Sequence, residues 1–200
     1  LVIGAGDGGV VHELTRYDSI KRIDLVEMDE AVAEACGLYI PANACRLDDE
    51  RVHIYYENAL KYIRRCEDKY DLIIVDSLAA LVSNEELAAD NEQTMSTKLA
   101  QAKAMTSWMK QLIRKLNGSN TAFIFVNHKK IAPGFMPIVN TPGGASPKYY
   151  SSLRLDFKAN KKDIKGTVQK LEVEIAKSRF SSKNTSIKIP LELDWRKLDV

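Results

Sequence analysis

The sequence lacks any long apolar run. No stretch approaches the roughly 18 consecutive apolar residues that a membrane-spanning helix needs. The pattern of a signal peptide, with a charged start and an apolar middle, does not open the chain. We therefore predict a cytoplasmic protein that makes no contact with a membrane.

The sequence also contains few cysteines and does not begin with a methionine. The 3 cysteines, Cys36, Cys45 and Cys66, are odd in number and lack the close spacing of metal ligands. Reduced thiols in the cytoplasm are the expectation, and no metal site is predicted. The chain opens on the apolar segment Leu1-Val2-Ile3 without a methionine, so the sequence reads as a fragment.

Charge is small overall but unevenly distributed. Residues 1–76 carry 9 Lys+Arg and 16 Asp+Glu, a net charge of −7, and residues 77–200 carry 20 and 11, a net charge of +9. Such asymmetry indicates different partners for the two segments, a polyanion for the second. A fusion of unrelated pieces would show the same asymmetry.

Short apolar segments alternate with helical patterns in the first part of the chain. Strands are predicted at 1–3, 22–28, 52–56 and 71–75, and helices at 10–17, 30–39 and 59–66. This alternation gives a parallel sheet with right-handed crossovers. We predict a Rossmann-type half-domain over residues 1–76.

The pattern of predicted elements changes after residue 77. A polar loop-like stretch (83–96), an amphipathic helix (97–116) with Asn117-Gly118 as its stop signal, a strand (122–126) and a mobile Pro/Gly-rich loop (129–147) follow. Alternating segments at 152–157, 171–176 and 186–193 predict antiparallel strands. The predicted fold class is α/β, a Rossmann-like, mostly parallel sheet flanked by helices and extended by antiparallel strands at the C-terminal end. Residues 77–200 are expected to complete one continuous sheet with residues 1–76.

A glycine loop, Gly4-Ala5-Gly6-Asp7-Gly8-Gly9, joins the first strand to the first helix. Glycine permits a tight turn and a close approach of the backbone to a ligand. The second strand ends in Glu27, about twenty residues further on, where an acid can accept hydrogen bonds from a ribose. The alternative is that Glu27 and Asp29 are solvated strand-end acids or a helix cap.

The stretch GAGDGG…LVEMDE…DDERVHIYYENALKYI…YDLIIVDS resembles the cofactor half of the spermidine synthase (polyamine aminopropyltransferase) family. It covers residues 1–77, and GxGDGG combined with DDxRV and a terminal DS is not a generic Rossmann pattern. The resemblance implies an S-adenosyl ligand: decarboxylated S-adenosylmethionine, S-adenosylmethionine or methylthioadenosine. The cofactor-binding residues that it implies are Gly4, Gly6, Asp7, Gly8, Glu27, Asn58 and Ala59.

Within that resemblance, Glu27 holds the ribose, Asn58 and Ala59 lie near the adenine, and Asp7 lies near the aminopropyl or amine end. Asp76 is the implied catalytic carboxylate, which receives a proton as an amine attacks the carbon beside the sulfonium. The family continues its DS with another Ser and a second Asp, whereas this chain has Leu78 and Ala79. We therefore expect ligand binding with aminopropyl transfer impaired.

The strand before Asp76 also fits the Walker B strand of an ATPase. VDSLAAL, AQAKAMTSWMKQLIRKL, IFVNH, TPGGASPKYYSSLRLDF and VEIAKSRF resemble the second half of a RecA-type recombinase core, nearest to phage versions, over residues 72–195. The resemblance implies DNA-facing loops near 83–96 and 129–145, a sensor pair at Asn127-His128, and Lys177 and Arg179 reaching a neighbouring subunit's nucleotide. No G-x-x-x-x-G-K-[ST] is present, so no ATP and no ATPase activity are expected.

Basic residues beside the Pro/Gly-rich loop suggest a single-stranded DNA site, in which an aromatic ring stacks on a base. The alternative is a solvated basic loop. The candidate nucleic-acid-binding residues are Lys129, Lys130, Phe135 and Lys148.

Four functional hypotheses follow for what the two resemblances indicate is a chimera. The first is a binding protein for an S-adenosyl compound with the chemistry impaired. The second is an active aminopropyltransferase or methyltransferase, in which the second half supplies new substrate contacts. The third is a single-stranded DNA-binding RecA-like module without ATPase activity, and the fourth is a folded chimera with no function. Oligomeric state is left open.

Overall fold

The computed structural model of the chain describes residues 1–67, 69–77, 95–128, 130–132, 138–140, 145–159, 168–180 and 188–194. The chain divides into two compact units, Leu1–Gly144 and Ala145–Val200. No helix among these residues is long and apolar enough to cross a membrane.

The first unit alternates strands and helices over most of its length. Its elements are β1 (Val2–Gly4), α1 (Gly9–Thr15), β2 (Ile23–Glu27), α2 (Glu30–Tyr39), α3 (Pro41–Ala44), β3 (Val52–Tyr56), α4 (Ala59–Arg65), β4 (Leu72–Asp76), α5 (Met95–Leu116), β5 (Ala122–Phe125), β6 (Lys130–Ala132) and β7 (Ile138–Asn140). The second unit contains α6 (Ser146–Tyr150), β8 (Leu153–Ala159), β9 (Val168–Ser178) and β10 (Lys188–Asp194).

Five parallel strands form the central sheet in the order β3-β2-β1-β4-β5. The chain runs outward from β1 to β3 on one side and then from β4 to β5 on the other, so its direction reverses between β1 and β4. Ligands of open α/β sheets bind in the crevice at such a switch point, beyond the carboxyl ends of the strands. Gly4 pairs with Asp76 in the register of β1 and β4, which places both residues at this edge.

The sheet is apolar on both faces because each face is covered by helices. On one face, Ile3 and Val75 pack with Ala59 and Tyr62 of α4. On the other face, Val2, Ile23 and Leu25 of the strands pack with Val11 of α1. Alternate residues of a strand face opposite sides, so each short strand contributes to both cores. The predicted fold class, a mostly parallel sheet flanked by helices with antiparallel strands after it, is confirmed.

The Asp-Asp-x-Arg-Val step before β3 has a structural role. The Arg51 guanidinium donates to the Asp49 carboxylate at 2.8 Å and to the carbonyls of Thr15, Tyr17 and Ile20, which follow or end α1. The hydrogen bonds from Arg51 hold the pKa of the Asp49 carboxyl well below its usual range. One side chain therefore ties the end of α1 to the start of β3.

A buried acid lies at the opposite, amino-terminal edge of the sheet. Asp24 of β2 is 0% exposed, and its carboxylate accepts from Tyr70 Oη at 2.7 Å and from Arg22 Nε at 3.0 Å. Tyr62 Oη lies 2.7 Å from Tyr70 Oη and extends the network into α4. Burial raises the pKa of Tyr62 to about 12. This network joins β2, α4 and the segment before β4, away from the carboxyl edge.

Several elements differ from the sequence predictions. Two short helices, α3 and α6, were not predicted, and the long helix begins at Met95, inside the expected polar stretch. The rest of that stretch, from 83 to 94, lies outside the described residues, as does much of the Pro/Gly-rich loop. Asn117-Gly118 does end the long helix, with Gly118 at φ 87°.

The antiparallel strands form a sheet of their own. In the described parts of β8, β9 and β10, the order is β10-β9-β8, with a bulge between Arg154 and Leu155. Among the described strands after residue 77, only β5 joins the parallel sheet, and β6 pairs with β7. The described strands thus form three sheets where the sequence predicted one continuous sheet, because strand pairing depends on contacts that periodicity does not encode.

Candidate functional site

The glycine loop is a tight turn in left-handed backbone conformation. Gly4, Ala5 and Gly8 have φ angles of 74°, 60° and 80°. The Ala5 N–H donates to the Asp76 carbonyl at 3.1 Å, and the Gly8 N–H donates to the Ala5 carbonyl at 3.0 Å. Positive φ costs an L side chain energy, so glycine is favoured at positions 4 and 8. The first of these bonds ties the loop to the end of β4.

Glu27 holds the other side of the loop. Its Oε2 accepts from the Gly6 N–H at 3.1 Å, and its Oε1 accepts from the backbone N–H groups of Met28 and Asp29 at 2.7 and 3.1 Å. A Cβ at Gly6 would lie 2.8 Å from Oε2. Glycine is therefore required at position 6 so that the strand-end acid can reach the backbone. Asp29 fits the helix-cap alternative, since it caps α2 by accepting from the Ala31 N–H, whereas Glu27 is half-buried and bonded to the glycine loop.

Three acidic residues, Asp7, Glu13 and Asp76, line an open cleft between α1 and the end of β4. The cleft has a volume of about 380 Å³ and is lined by Asp7, Gly9, Val10, Glu13, Leu14, Tyr17, Ile74 and Asp76. Burial, followed by the nearby Asp7 carboxylate, raises the pKa of Asp76, and His128 partly opposes the shift. A carboxyl with a raised pKa is a better proton acceptor than an ordinary one. An amine or another cation would relieve the repulsion between Asp7 and Asp76.

The short helix α3 packs directly on the glycine loop. A Cβ at Gly8 would lie 2.8 Å from Ala44 Cα and 2.9 Å from the Asn43 carbonyl oxygen. Asn43 Nδ2 donates to Asp7 Oδ2 at 3.4 Å. The loop therefore lies between the α3 backbone on one side and Glu27 on another.

Asn58 and Ala59 lie at the start of α4. Asn58 is the N-cap, and its Oδ1 accepts from the N–H groups of Leu60 and Lys61 at 2.9 and 3.4 Å. Ala59 is buried in the core against the sheet. The Glu57 N–H donates to the Glu27 carbonyl at 2.9 Å, so the turn before α4 is fixed to the end of β2.

The structure brings the predicted ligand-site residues to one edge of the sheet. Gly4, Glu27 and Asp76 end three adjacent strands, and the loop that carries Gly6, Asp7 and Gly8 bridges them. Of the predicted residues, Asp7 and Asp76 line the cleft beside α1, whereas Glu27, Asn58 and Ala59 do not.

Of the four predicted nucleic-acid residues, the structure describes two, Lys130 and Lys148. Lys129 and Phe135 lie outside the described residues, and Lys130 begins β6 in the first unit. Lys148 lies in α6 of the second unit, where its carbonyl accepts from Lys177 Nζ at 3.0 Å. Arg179 donates to the Tyr149 carbonyl at 3.1 Å, in the same unit.

Three polar contributors, Glu13, Tyr17 and Asn43, were not among the predicted site residues. Asn43 lies in a segment that we did not predict to be helical, although Pro41 at the first turn of α3 is a recognised start signal. Tyr17 follows α1 and gives no local signal that it lines a cleft. Across the described part of the chain, no cluster of three or more His, Cys, Asp or Glu could hold a metal ion.

A parallel sheet of this order, with a glycine loop and strand-end acids at its carboxyl edge, defines a Rossmann-like α/β domain. The family model described as the spermine/spermidine synthase domain matches residues 1–141. By the extent of that match, the chain belongs to the spermine/spermidine synthase domain family.

Individual relatives match the first part of the chain. Polyamine aminopropyltransferases of Clostridium botulinum (strain Alaska E43 / Type E3) and Alkaliphilus oremlandii (strain OhILAs) are 62% and 61% identical over 77 residues, which cover 38% of this chain and 27% of each relative. A crystal structure of spermidine synthase from Thermotoga maritima is 38% identical over 38% of this chain and 27% of that one, with a TM-score of 0.37. The chain thus spans about a quarter of the length of the curated relatives that it matches.

The family match bears on the two resemblances differently. The spermidine synthase resemblance of the N-terminal part is confirmed. The family model extends beyond residue 77 into the segment likened to a recombinase, and these matches lend that likeness no support. The RecA-type resemblance and the chimera remain predictions from sequence.

Proposed function

We propose that the first unit binds an S-adenosyl compound, with the adenosyl part at the glycine loop and Glu27. The observation that carries this proposal is the contact between Glu27 Oε2 and the Gly6 N–H at 3.1 Å. It places a carboxylate directly beside the glycine loop, and one lone-pair site of Oε2 is not used by the three backbone bonds to Glu27. A ribose needs a hydrogen-bond acceptor for its hydroxyl groups, and this carboxylate oxygen offers one.

The rest of the edge supports an adenosyl ligand. Asn58 Oδ1 is used by the cap of α4, so the side-chain group that it offers a purine is the amide Nδ2, a donor for a ring nitrogen. Asp7 and Asp76 offer negative charge for a cationic amine or sulfonium. Decarboxylated S-adenosylmethionine carries both cations, and methylthioadenosine is the form without the aminopropyl group.

The chemistry assigned to this site is aminopropyl transfer in impaired form. In such a transfer, an amine nitrogen attacks the carbon beside the sulfonium, the carbon–sulfur bond breaks with its electrons going to sulfur, and the amine proton passes to Asp76. Burial raises the pKa of Asp76, which supports its role as that base. Leu78 and Ala79 replace the Ser and second Asp of the family pattern, so the amine has fewer groups to orient it.

The test is a calorimetric titration with methylthioadenosine and its 2′-deoxy analogue. We expect saturable binding of methylthioadenosine. Removal of the 2′-hydroxyl, or Glu27→Gln, should weaken binding by roughly 5- to 150-fold, the equivalent of about 1–3 kcal/mol for a hydrogen bond to a charged group. Changing the ligand leaves the contact between Glu27 and Gly6 intact, so it separates ribose recognition from loop stability.

Glu34→Gln is the matched control, because Glu34 is an exposed acid on α2 outside the glycine loop. It should bind like the wild type. A flat titration from a folded sample, or equal affinity for the two ligands, would refute ribose recognition by Glu27.

The DNA-binding alternative has a separate test. It rests on the net charge of +9 over residues 77–200 and on the recombinase resemblance. If it holds, affinity for single-stranded DNA falls steeply as salt rises, because bound phosphates release counterions. Weak binding without that dependence would exclude it, and failure of both titrations would leave a folded chain without either function.

A further inference from the structure

We propose that Asn43 is a positioning residue, whose side-chain amide holds the Asp7 carboxylate in the cleft that Asp76 also lines. The proposal deepens the function proposed above, since it concerns the end of the site that would take the cationic amine of the ligand. It assigns a role to α3, a helix that the sequence did not reveal.

The Asn43 amide and the Asp7 carboxylate are in contact beside Gly9. Asn43 Nδ2 donates to Asp7 Oδ2 at 3.4 Å. A Cβ at Gly9 would lie 3.2 Å from Asp7 Oδ2 and 3.7 Å from Asn43 Nδ2, so the carboxylate and the amide meet over a position without a side chain. Because Gly9 begins α1, the amide of α3 fixes the carboxylate beside the first residue of that helix.

The backbone that carries the donor is held by hydrogen bonds. The Asn43 N–H donates to the Ile40 carbonyl at 3.0 Å, and the Leu47 N–H donates to the Ala44 carbonyl at 3.1 Å. The Asn43 carbonyl lies against Gly8, where a Cβ would come within 2.9 Å. Asn43 is itself exposed, so its side chain is not held by burial and its amide is available to the carboxylate.

The position of the Asp7 carboxylate matters because its charge raises the pKa of Asp76. After burial, the Asp7 carboxylate is the next cause of the raised pKa of Asp76. Two acids in one cleft attract a cation more strongly than one, provided that neither turns away into solvent. The amide donor limits the rotation of the Asp7 side chain, so we infer that Asn43 keeps Asp7 in the cleft beside Asp76.

Binding of a cationic and a neutral ligand tests this role. Asn43→Leu keeps the number and branching of the side-chain heavy atoms and removes the donor, and Cys45→Ala, at an exposed residue just after α3, is the matched control. For Asn43→Leu we expect affinity for decarboxylated S-adenosylmethionine to fall about five- to tenfold, and affinity for methylthioadenosine to change by less than about twofold. Equal losses for both ligands would mean that Asn43 only supports the loop, and the proposal would be wrong.

A second measurement needs no ligand. Carboxyl carbon NMR can follow the titration of Asp76, whose charged or titratable neighbours in the described cleft are Asp7, Glu13 and Tyr17, with His128 after β5. If Asn43 holds Asp7 in place, Asn43→Leu lowers the pKa of Asp76 toward its usual value, and Cys45→Ala leaves it unchanged. An unchanged titration in Asn43→Leu overturns the proposal even where neither ligand binds, whereas a wild type that binds neither ligand refutes only the adenosyl function.

Discussion

The contact between the glycine loop and α3 makes Gly8→Ala the most informative single substitution. Gly8 has φ 80°, a conformation that L side chains rarely adopt. A Cβ there would lie 2.8 Å from Ala44 Cα and 2.9 Å from the Asn43 carbonyl oxygen, and both atoms belong to backbone. Neither atom can move without shifting α3, so the substitution meets two separate costs.

Both costs can be given a size. The left-handed conformation costs an alanine about 1–2 kcal/mol relative to glycine. Forcing a methyl group into a filled space costs about 1–3 kcal/mol through backbone shifts. We therefore expect Gly8→Ala to lower the free energy of unfolding by about 2–5 kcal/mol, a large share of the stability of an ordinary domain.

Two other glycines separate these costs. Gly118 has φ 87° with nothing within 4 Å of an added Cβ, so Gly118→Ala should lose only the backbone term, about 1–2 kcal/mol. Gly37 lies within α2 and also has open space, so Gly37→Ala should gain about 0.5–1 kcal/mol. Gly8→Ala thus carries both the backbone cost and the packing cost. Gly118→Ala carries only the backbone cost, and Gly37→Ala carries neither.

Urea unfolding measures the three free energies on one scale. Trp108 of α5 packs edge-on against Phe123 and Phe125 of β5, with ring centroids 6.2 and 5.7 Å apart, so its fluorescence reports on the unit that contains Gly8. A Trp195→Phe background removes the signal of the other tryptophan. If Gly8→Ala loses no more stability than Gly118→Ala, the packing of α3 on the loop does not constrain position 8, and the reasoning fails.

Three further predictions concern the strand-end acid, the buried network and the cleft. Gly6→Ala should displace the flexible Glu27 side chain and weaken methylthioadenosine binding about tenfold while changing the melting temperature little, and a large loss of stability would contradict this. Tyr70→Phe removes a 2.7 Å donor from the fully buried Asp24 and should cost about 1–3 kcal/mol in urea unfolding; an unchanged midpoint would show that the carboxylate finds another donor. Because the pKa of Asp76 is raised in the folded protein, the wild type loses stability as pH rises from the usual carboxyl pKa through the raised one. Asp76→Asn should therefore melt higher than the wild type at neutral pH, and this difference should vanish in acid; a lower melting temperature at neutral pH would contradict the sign.

The parallel sheet could be predicted from sequence because its signals are local. The strands β2, β3 and β4 are short apolar runs, and α2 and α4 begin at Asp29 and Asn58, whose side chains cap the first turn. The Gly118 stop of α5 is equally local, since positive φ after a helix favours glycine.

The candidate site was predicted in composition but not in arrangement. Glu27 follows the glycine loop by about twenty residues, and this spacing can be read directly from the sequence. The packing of β2 and α3 around the loop decides two contacts that spacing does not show. The Glu27 carboxylate accepts from the Gly6 N–H, and the Asn43 amide donates to the Asp7 carboxylate. No periodicity encodes such contacts.

By itself, the sequence determined the α/β class, the order of strands and helices in residues 1–77 apart from α3, and the acids and glycines of the carboxyl edge. These follow from backbone preferences and from apolar patterns that each segment carries alone. Tertiary structure alone decided that β8, β9 and β10 pair only with one another among the described strands, and that α3 and Glu27 enclose the glycine loop. Strand pairing and side-chain contact join residues far apart in the chain, so their energies exist only once the elements have packed.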